Sequence, residues 1–148
     1  MRLLVQRVLE AAVAVDGRQL GRVEQGFVVF VGVTHGDTEE QARRLARKVA
    51  ELRVFADSAG KTNLSIQDVQ GSALVVSQFT LYADTRRGRR PSFTNAAAPE
   101  PAQALVEGFR QALEREGVPT ASGQFGADMQ VTLVNDGPFT LLLENEAP

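Results

Sequence analysis

Seven consecutive residues after Gly26 constrain the fold of this chain more than any other segment. The run from Phe27 to Val33 is apolar apart from one glycine and rich in β-branched side chains. It is too short for a typical helix, and a strand with one solvent-exposed face would carry polar residues at alternate positions. The run therefore predicts a strand that is buried on both faces.

Other segments also have the pattern of strands. Apolar residues alternate or cluster at Leu3, Val5, Val13, Val15, Leu74, Val75, Val76, Val131, Leu133, Phe139, Leu141 and Leu143. Asp16-Gly17, directly after one of these groups, is a strong hairpin-turn signal. Arg53 to Phe55 is predicted to be extended, and Asp57 to Gly60 is predicted to be a turn.

Two segments have the spacing of amphipathic helices. In the first, Asp37 is the predicted N-cap, with Glu40 three residues later as in a capping box. The second has Pro99 and Pro101 in its first turn and ends before Gly117. The stripes that we expect to be buried are Ala42, Leu45, Ala46, Val49 and Leu52 in the first helix, and Leu105, Val106, Phe109, Ala112 and Leu113 in the second.

Many strands together with two helices predict a mixed α/β fold. A small β-barrel of mostly antiparallel strands, closed or nearly closed, with two flanking helices fits this pattern best. A chain of 148 residues, 43% of them apolar, is the size of one domain with a genuine core. We therefore predict a single domain over residues 1–148.

Composition excludes several classes of protein. The chain has no cysteine and one histidine, His35, which excludes disulfides, thiolate chemistry and any cluster with zinc-site spacing. No Gly-rich phosphate loop is present, and we expect neither a metal nor a cofactor. The N-terminus becomes polar too early for a signal peptide, and no apolar run approaches the ~20 residues that span a bilayer. The prediction is a soluble, cytoplasmic protein, with His35 a turn residue rather than a site residue.

Charge indicates that any contact with nucleic acid is local. The 16 basic and 18 acidic residues give a net charge of −2, whereas a protein held on nucleic acid by bulk charge is usually basic. The polar stretch from Ala83 to Ala98 is a predicted long loop. Its arginines are Arg86, Arg87, Arg89 and Arg90. Such a loop suits phosphate contacts, with Phe93 stacking on a base, and is equally typical of a solvated surface.

The first candidate for chemistry is Ser77-Gln78-Phe79-Thr80, at the end of a predicted strand. Ser77 and Thr80 carry hydroxyls, but an alcohol is a weak nucleophile without an adjacent base, and none is near them in sequence. Both are also consistent with ordinary strand residues. The backbone N–H groups around Phe79 and Thr80 offer a third role, as donors that polarise a carbonyl and stabilise its oxyanion.

The second candidate is the segment from Asn135 to Thr140, which contains Gly137-Pro138. An X-Pro bond is trans by default, since only about 5–6% are cis in folded proteins. Asp136-Gly137 is equally typical of an ordinary hairpin turn. These residues alone leave the role of the segment open.

Taken in order along the chain, these segments and their neighbours resemble the D-aminoacyl-tRNA deacylase family. The resemblance covers nearly the whole chain. It is carried by Gln6-Arg7-Val8, Gly60 to Ser65, Val75 to Leu81, Arg89 to Phe93, Gly123 to Val131 and Asn135 to Pro138. One position departs from the family pattern, because valine normally follows the Gly-Pro pair and this chain has Phe139.

The resemblance implies an activity: hydrolysis of the ester that joins a D-amino acid, or glycine, to the terminal adenosine of tRNA. It implies a homodimer of small barrels in which the cis-bonded Gly137-Pro138 loop reaches into the partner subunit's site and excludes L side chains. Water would attack an ester polarised by backbone N–H groups, with the ribose 2′-hydroxyl assisting. The implied catalytic residues are Ser77, Gln78, Phe79 and Thr80, and the implied substrate-binding residues are Gly137, Pro138, Arg7 and Met129.

Two rival interpretations come from other classes of protein. One is a non-catalytic RNA-binding β-barrel that uses the loop from Arg86 to Arg90, and the other is a structural dimerisation domain. Neither role explains why the Ser-Gln-Phe-Thr and Gly-Pro segments occur together.

Overall fold

One long strand, β1 (Arg2–Val15), organises the computed structural model, which describes residues 1–145. β8 (Gln130–Glu144) lies antiparallel to β1 over almost its whole length. β2 (Arg18–Val23) and β3 (Gly26–Gly32) follow one another along the other edge, both antiparallel to β1. β1 therefore lies inside the sheet throughout. Residues 146–148, the end of the predicted domain, lie outside the described part of the chain.

Two parallel strands extend the sheet beyond β3. β6 (Ser72–Ser77) pairs with β3, and β7 (Thr120–Ser122) pairs with β6. β4 (Phe55–Ala56) and β5 (Thr62–Leu64) form a separate small hairpin. Of the segment 53–55, which was predicted to be extended, only Phe55 belongs to a strand.

The sheet curls until β2 approaches β7. A Cβ added at Gly21 of β2 would lie 3.0 Å from the carbonyl oxygen of Ser122 on β7. The predicted nearly closed barrel is therefore confirmed. Its strand directions are mixed, because β3, β6 and β7 are parallel to one another while β1 is antiparallel to its neighbours.

Two helices cover the outer face of the sheet, as predicted. They are α1 (Glu39–Glu51) and α2 (Pro99–Arg115). The buried members of the predicted stripes are Ala42, Leu45, Ala46, Val49, Leu105, Phe109, Ala112 and Leu113. Leu52 and Val106, which we also expected to be buried, are half-buried.

Helix α1 has a different N-cap from the predicted one. Thr38 is the N-cap, and it forms a capping box with Gln41. Asp37 instead binds the N-terminal amine of Met1 at 2.6 Å and the N–H of Thr34 at 2.8 Å. A cationic donor forms a stronger hydrogen bond with a carboxylate than a neutral N–H group does. That partner lies 36 positions away in the chain, so the local pattern could not indicate it.

Two apolar cores result from the alternation of side chains along the strands. One fills the barrel and includes Val28, while the other lies between the sheet and the helices and includes Phe27, Val29 and Val31. The predicted burial of β3 on both faces is therefore confirmed, with only Phe30 of the run half-buried.

The predicted turn at Asp136-Gly137 is not a hairpin. β8 stays antiparallel to β1 on both sides of it, but Gln6 pairs with Thr140 and Val8 pairs with Asn135. Residues 136–139 therefore bulge from the sheet opposite a single residue of β1. The turn signal is real, but both flanking segments pair with β1 and not with each other.

No helix in residues 1–145 is long and apolar enough to cross a bilayer.

Gly26 is a position where the fold leaves no room for a side chain. A Cβ there would lie 1.8 Å from the carbonyl oxygen of Ser72, its partner on β6. We expect Gly26→Ala to lower the free energy of unfolding by about 3 kcal/mol, because the β3–β6 pairing must open. Urea denaturation monitored by circular dichroism measures this change.

Gly108→Ala is the matched control, since it makes the same change within α2, where an added Cβ meets nothing within 4 Å. It should raise the free energy of unfolding by about 0.5–1 kcal/mol, because alanine has a higher helix propensity than glycine. A Gly26→Ala protein as stable as the Gly108→Ala protein would contradict the register of β3 on β6.

Candidate functional site

The predicted strand end at Ser77 is the point where the chain leaves the sheet. The N–H of Gln78 makes a last sheet-like bond to the carbonyl of Val31, at 2.8 Å, and residues Phe79–Tyr82 then form a 3-10 turn. Gly32 permits this turn to pack on β3, since a Cβ there would lie 3.0 Å from the Cβ of Leu81. The local backbone therefore depends on a glycine in the neighbouring strand.

The start of this turn presents backbone donors. Its first internal hydrogen bond runs from the N–H of Leu81 to the carbonyl of Gln78, at 3.2 Å. The N–H groups of Phe79 and Thr80 precede that bond, and the first N–H groups of any helical turn have no partner within it. Both residues are exposed. An incoming acceptor can therefore meet two adjacent N–H groups.

The side chains at the strand end offer no activated nucleophile. The Thr80 hydroxyl is hydrogen-bonded to the side-chain amide of Gln78, and an amide does not accept a proton at neutral pH. Ser77 is half-buried. Asp128 is the one titratable side chain among the described residues that line the adjoining cavity, and it is exposed.

A cavity of about 550 Å³ opens beside the strand end. It brings together four of the predicted site residues, Ser77, Gln78, Phe79 and Met129. The Phe79 ring meets the Phe93 ring edge to face, with centroids 5.0 Å apart. The walls are otherwise largely apolar, which suits a site that excludes water around a few polar groups.

The sequence did not single out some residues that line this cavity. Phe125, Gly126 and Ala127 lie in the loop before β8, and Ala96 and Ala97 lie just before α2. The signals for Phe125 were its place in the Gly123 to Val131 segment of the family resemblance and its position between two turn-forming glycines, and neither assigned it to the site. Stacking of Phe93 on a base was one of two roles left open for its loop, and its exposed ring lies at this cavity.

A second cavity, of about 630 Å³, continues from the first between α2 and β7 and shares Ser77, Phe125 and Met129 with it. Two of its charged side chains, Arg110 and Glu107, are paired with each other. Arg110 donates to Glu107 at 2.6 Å and holds the pKa of that carboxyl below its usual range by this hydrogen bond.

The Gly137-Pro138 pair lies at the tip of the bulge in β8, exposed, and its peptide bond is cis. The side-chain amide of Asn135 closes the base of the bulge by donating to the carbonyls of Arg7, at 2.9 Å, and Phe139, at 3.0 Å. Backbone groups that the bulge removes from the β1–β8 ladder are thereby partly satisfied.

Arg7 holds the bulge from the opposite strand. Its guanidinium donates to the carbonyl of Asp136 at 3.2 Å, lies 3.3 Å from the Asp136 carboxylate, and also donates to the carbonyl of Val54. Its Cζ lies 5.0 Å from the centre of the Phe139 ring. Phe139, the departure from the family pattern, therefore provides an aromatic face for Arg7.

Glycine at position 137 is a steric requirement. Its φ is +126°, and an added Cβ would lie 3.0 Å from Nη2 of Arg7 and 3.1 Å from the N of Phe139. A larger residue would displace the bulge or the guanidinium that holds it.

The two candidate segments do not meet within one chain. Arg7, beside the Gly-Pro bulge, pairs with Phe27 of β3, whereas Ser77 pairs with Val31 of the same strand. Four residues of extended chain separate the two registers, roughly 13 Å along the strand. In addition, β1 and β3 lie between β8 and β6.

His35 lies in a turn outside the cavity. Its Nε2 lies 2.7 Å from the carbonyl oxygen of Thr94, in the loop before α2. Its place in a turn agrees with the interpretation made from the sequence. Among residues 1–145, no group of three or more histidine, aspartate or glutamate side chains is arranged to hold a metal ion.

Comparison with known proteins identifies the family. The family model for D-Tyr-tRNA(Tyr) deacylase matches residues 4–144. A D-aminoacyl-tRNA deacylase of Roseiflexus castenholzii is 59% identical over 145 residues, which are 98% of this chain and 92% of the relative. Another, of Lacticaseibacillus casei, is 53% identical over 147 residues and 99% of each chain.

Solved structures have the same fold. The c-Myc DNA unwinding element binding protein matches 99% of this chain and 100% of its own, with a TM-score of 0.91 at 38% identity. A structure described as a probable eukaryotic D-amino acid tRNA deacylase matches 96% of this chain and 97% of its own, with a TM-score of 0.84; at 18% identity it supports the fold alone. From the near-complete family match and the close relatives it follows that this chain belongs to the D-Tyr-tRNA(Tyr) deacylase family.

Proposed function

We propose that this protein hydrolyses the ester bond of D-aminoacyl-tRNA, and of glycyl-tRNA, releasing tRNA and the free amino acid. The observation that carries the proposal is the strand end at Ser77, in a chain of this family. There the 3-10 turn leaves the N–H groups of Phe79 and Thr80 without a partner inside the turn, and Phe79 lines a largely apolar cavity. Such an arrangement suits hydrolysis, in which a carbonyl must be polarised before water attacks it.

The proposed chemistry uses the main chain of the site. The ester carbonyl oxygen accepts hydrogen bonds from the N–H groups of Phe79 and Thr80, and water adds to the carbonyl carbon. The oxyanion that forms is stabilised by the same donors. It collapses with cleavage of the bond to the ribose 3′-oxygen, and the proton lost by the attacking water passes to that oxygen with help from the 2′-hydroxyl. One well-placed donor of this kind lowers the activation free energy by about 3–4 kcal/mol.

Selection against L-amino acids is the proposed role of Gly137 and Pro138, acting from the partner subunit of a homodimer. Two observations support this. The pair is exposed at the tip of a bulge, and it lies far from the strand end of its own chain. A rigid backbone wall rejects a side chain by excluded volume, which discriminates more sharply than an apolar pocket does.

Arg7 and Met129 have supporting roles in this proposal. Arg7 orients the Gly-Pro bulge through its bonds to Asp136 and its contact with Phe139. Met129 forms part of the wall shared by both cavities, so it would contact the bound aminoacyl group. We expect the protein to act in the cytoplasm, because aminoacyl-tRNA is used there.

One assay separates this proposal from a non-catalytic RNA-binding barrel. The protein is incubated with D-aminoacyl-tRNA, L-aminoacyl-tRNA or glycyl-tRNA, and loss of the ester is followed with time. We expect the D and glycyl esters to be cleaved and the L ester to be spared. Binding of all three without turnover would instead support the rival interpretation.

The backbone donor at position 79 can be tested by comparing two substitutions that share the loss of the ring. Phe79→Pro and Phe79→Ala both remove the ring, but only proline also removes the N–H, and proline is tolerated at the first position of a helical turn. We expect the proline variant to be about 100-fold slower than the alanine variant in single-turnover deacylation of D-aminoacyl-tRNA. Equal rates for the two would remove this N–H from the mechanism.

Thr80→Ala completes that series, because it removes the hydroxyl and keeps the N–H. Its single-turnover rate should stay within about tenfold of wild type. A loss of about 10⁴-fold would indicate a side-chain nucleophile instead.

Mixed dimers test whether the Gly-Pro bulge acts across subunits. Gly137→Ala should disturb the bulge through the close approach to Arg7 and lower the rate roughly 100-fold, while its strand end stays intact. Phe79→Pro has the opposite defect. In a dimer of one chain of each kind, one composite site regains both intact parts, so activity should return to about half that of wild type.

The measurement uses co-expressed chains that carry different affinity tags, so that only mixed dimers are assayed. Each variant expressed alone is the control. Mixed dimers as slow as either parent would show that both segments act within one chain, and a protein that is monomeric at assay concentrations would contradict the proposal outright.

A further inference from the structure

The arginine-rich loop before α2 is a charged surface for which the catalytic proposal has no role. It leaves the 3-10 turn after Tyr82 and returns to the cavity at Phe93. Asp84 and Ser92 close its base with two mutual backbone hydrogen bonds, at 2.7 and 2.9 Å. The chain between them therefore projects as a closed loop with Gly88, at a φ of +70°, near its tip.

One of its four arginines is already paired. Arg86 donates from Nε and Nη2 to the two carboxylate oxygens of Asp84, at 2.9 and 2.7 Å, and its backbone N–H donates to the same group at 3.1 Å. These hydrogen bonds lower the pKa of Asp84 to about 2. The carboxylate is therefore ionised at any working pH, and its charge offsets that of Arg86.

The other three, Arg87, Arg89 and Arg90, are exposed, and none has a hydrogen bond or ion pair with any of the residues 1–145. Three uncompensated positive charges within four positions repel one another. They stand out because the whole chain carries a net charge of −2. A partner with closely spaced negative charges would relieve this repulsion.

The position of the loop indicates which partner. Arg90 is three residues from Phe93, which is at most about 10 Å of chain. Phe93 itself lines the cavity and contacts Phe79. The loop therefore lies next to the cavity, within reach of a nucleic acid whose 3′ end enters it.

We propose that Arg87, Arg89 and Arg90 bind the phosphates of the tRNA nucleotides that precede the terminal adenosine. This inference rests on the proposed function and assigns the site its hold on the RNA part of the substrate. Guanidinium groups suit this role because their donors match phosphate oxygens in pairs. It also explains how an acidic protein can bind a polyanion, since the attraction is confined to one loop.

The test compares two triple variants with the same change in charge. One replaces Arg87, Arg89 and Arg90 with glutamine. The control replaces Arg18, Arg44 and Arg115, three exposed arginines elsewhere on the chain that likewise have no partner among the described residues. Uncharged tRNA binding is measured by fluorescence anisotropy between ~50 and ~300 mM salt.

We expect the loop variant to bind tRNA at least ~10-fold more weakly than wild type, and the slope of log affinity against log salt to fall by about 2. The control should keep the wild-type slope. Equal losses in the two variants would mean bulk attraction, and no loss in the loop variant would mean a solvated loop; either result overturns the inference.

A kinetic measurement tests whether the loop contributes to the reaction of the full tRNA substrate. It also distinguishes failure of the loop proposal from failure of the proposed activity. The ratio of kcat/KM for D-aminoacyl-tRNA to that for D-aminoacyl-adenosine, which lacks the RNA, should fall at least ~10-fold in the loop variant and not in the control. If wild type cleaves neither ester, the proposed activity is wrong, and the binding measurement still decides the role of the loop.

Discussion

The pairing of β1 on both of its edges is the constraint on which the rest of the structure depends. Because β8 follows β1 along its length, the Gly137-Pro138 segment cannot fold back as a hairpin and must leave the sheet as a bulge. Because β3 occupies the opposite edge and carries β6, the strand end at Ser77 is placed at a different register. One set of hydrogen bonds thus separates the two segments that the proposed reaction needs together.

That separation gives the proposed dimer a physical purpose. A site made from one chain would have the oxyanion donors of Phe79 and Thr80 without the backbone wall, or the wall without the donors. Supplying the wall from a second subunit lets each segment sit on a rigid part of its own sheet. Rigidity matters because both proposed roles, polarising a carbonyl and excluding a side chain, fail if the main chain moves by about 1 Å.

Arginine serves three different purposes in this chain, and its surroundings decide which. Arg7 is half-buried against carbonyls, a carboxylate and the Phe139 ring, so it holds the bulge in place. Arg86 is paired with Asp84 and pins the base of a loop. Arg89 and Arg90, close to it in sequence, have no protein partner in the described chain and are free to meet a phosphate. Residue type alone does not distinguish these cases.

The sequence by itself determined the most apolar strand segments, the two helices and the segments that carry the family resemblance, because these follow from local periodicity, turn residues and ordered motifs. It did not indicate β2, β5 or β7, which are short or polar. Only the tertiary structure decided which partner each local signal obtained: Asp37 took the N-terminal amine instead of a helix N–H, and Asp136-Gly137 became a bulge instead of a hairpin. It also placed Phe139 beneath Arg7 and Phe125 in the cavity wall. The physical reason is that each of these outcomes depends on a group that is distant in sequence, and a local pattern carries no information about what folding brings beside it.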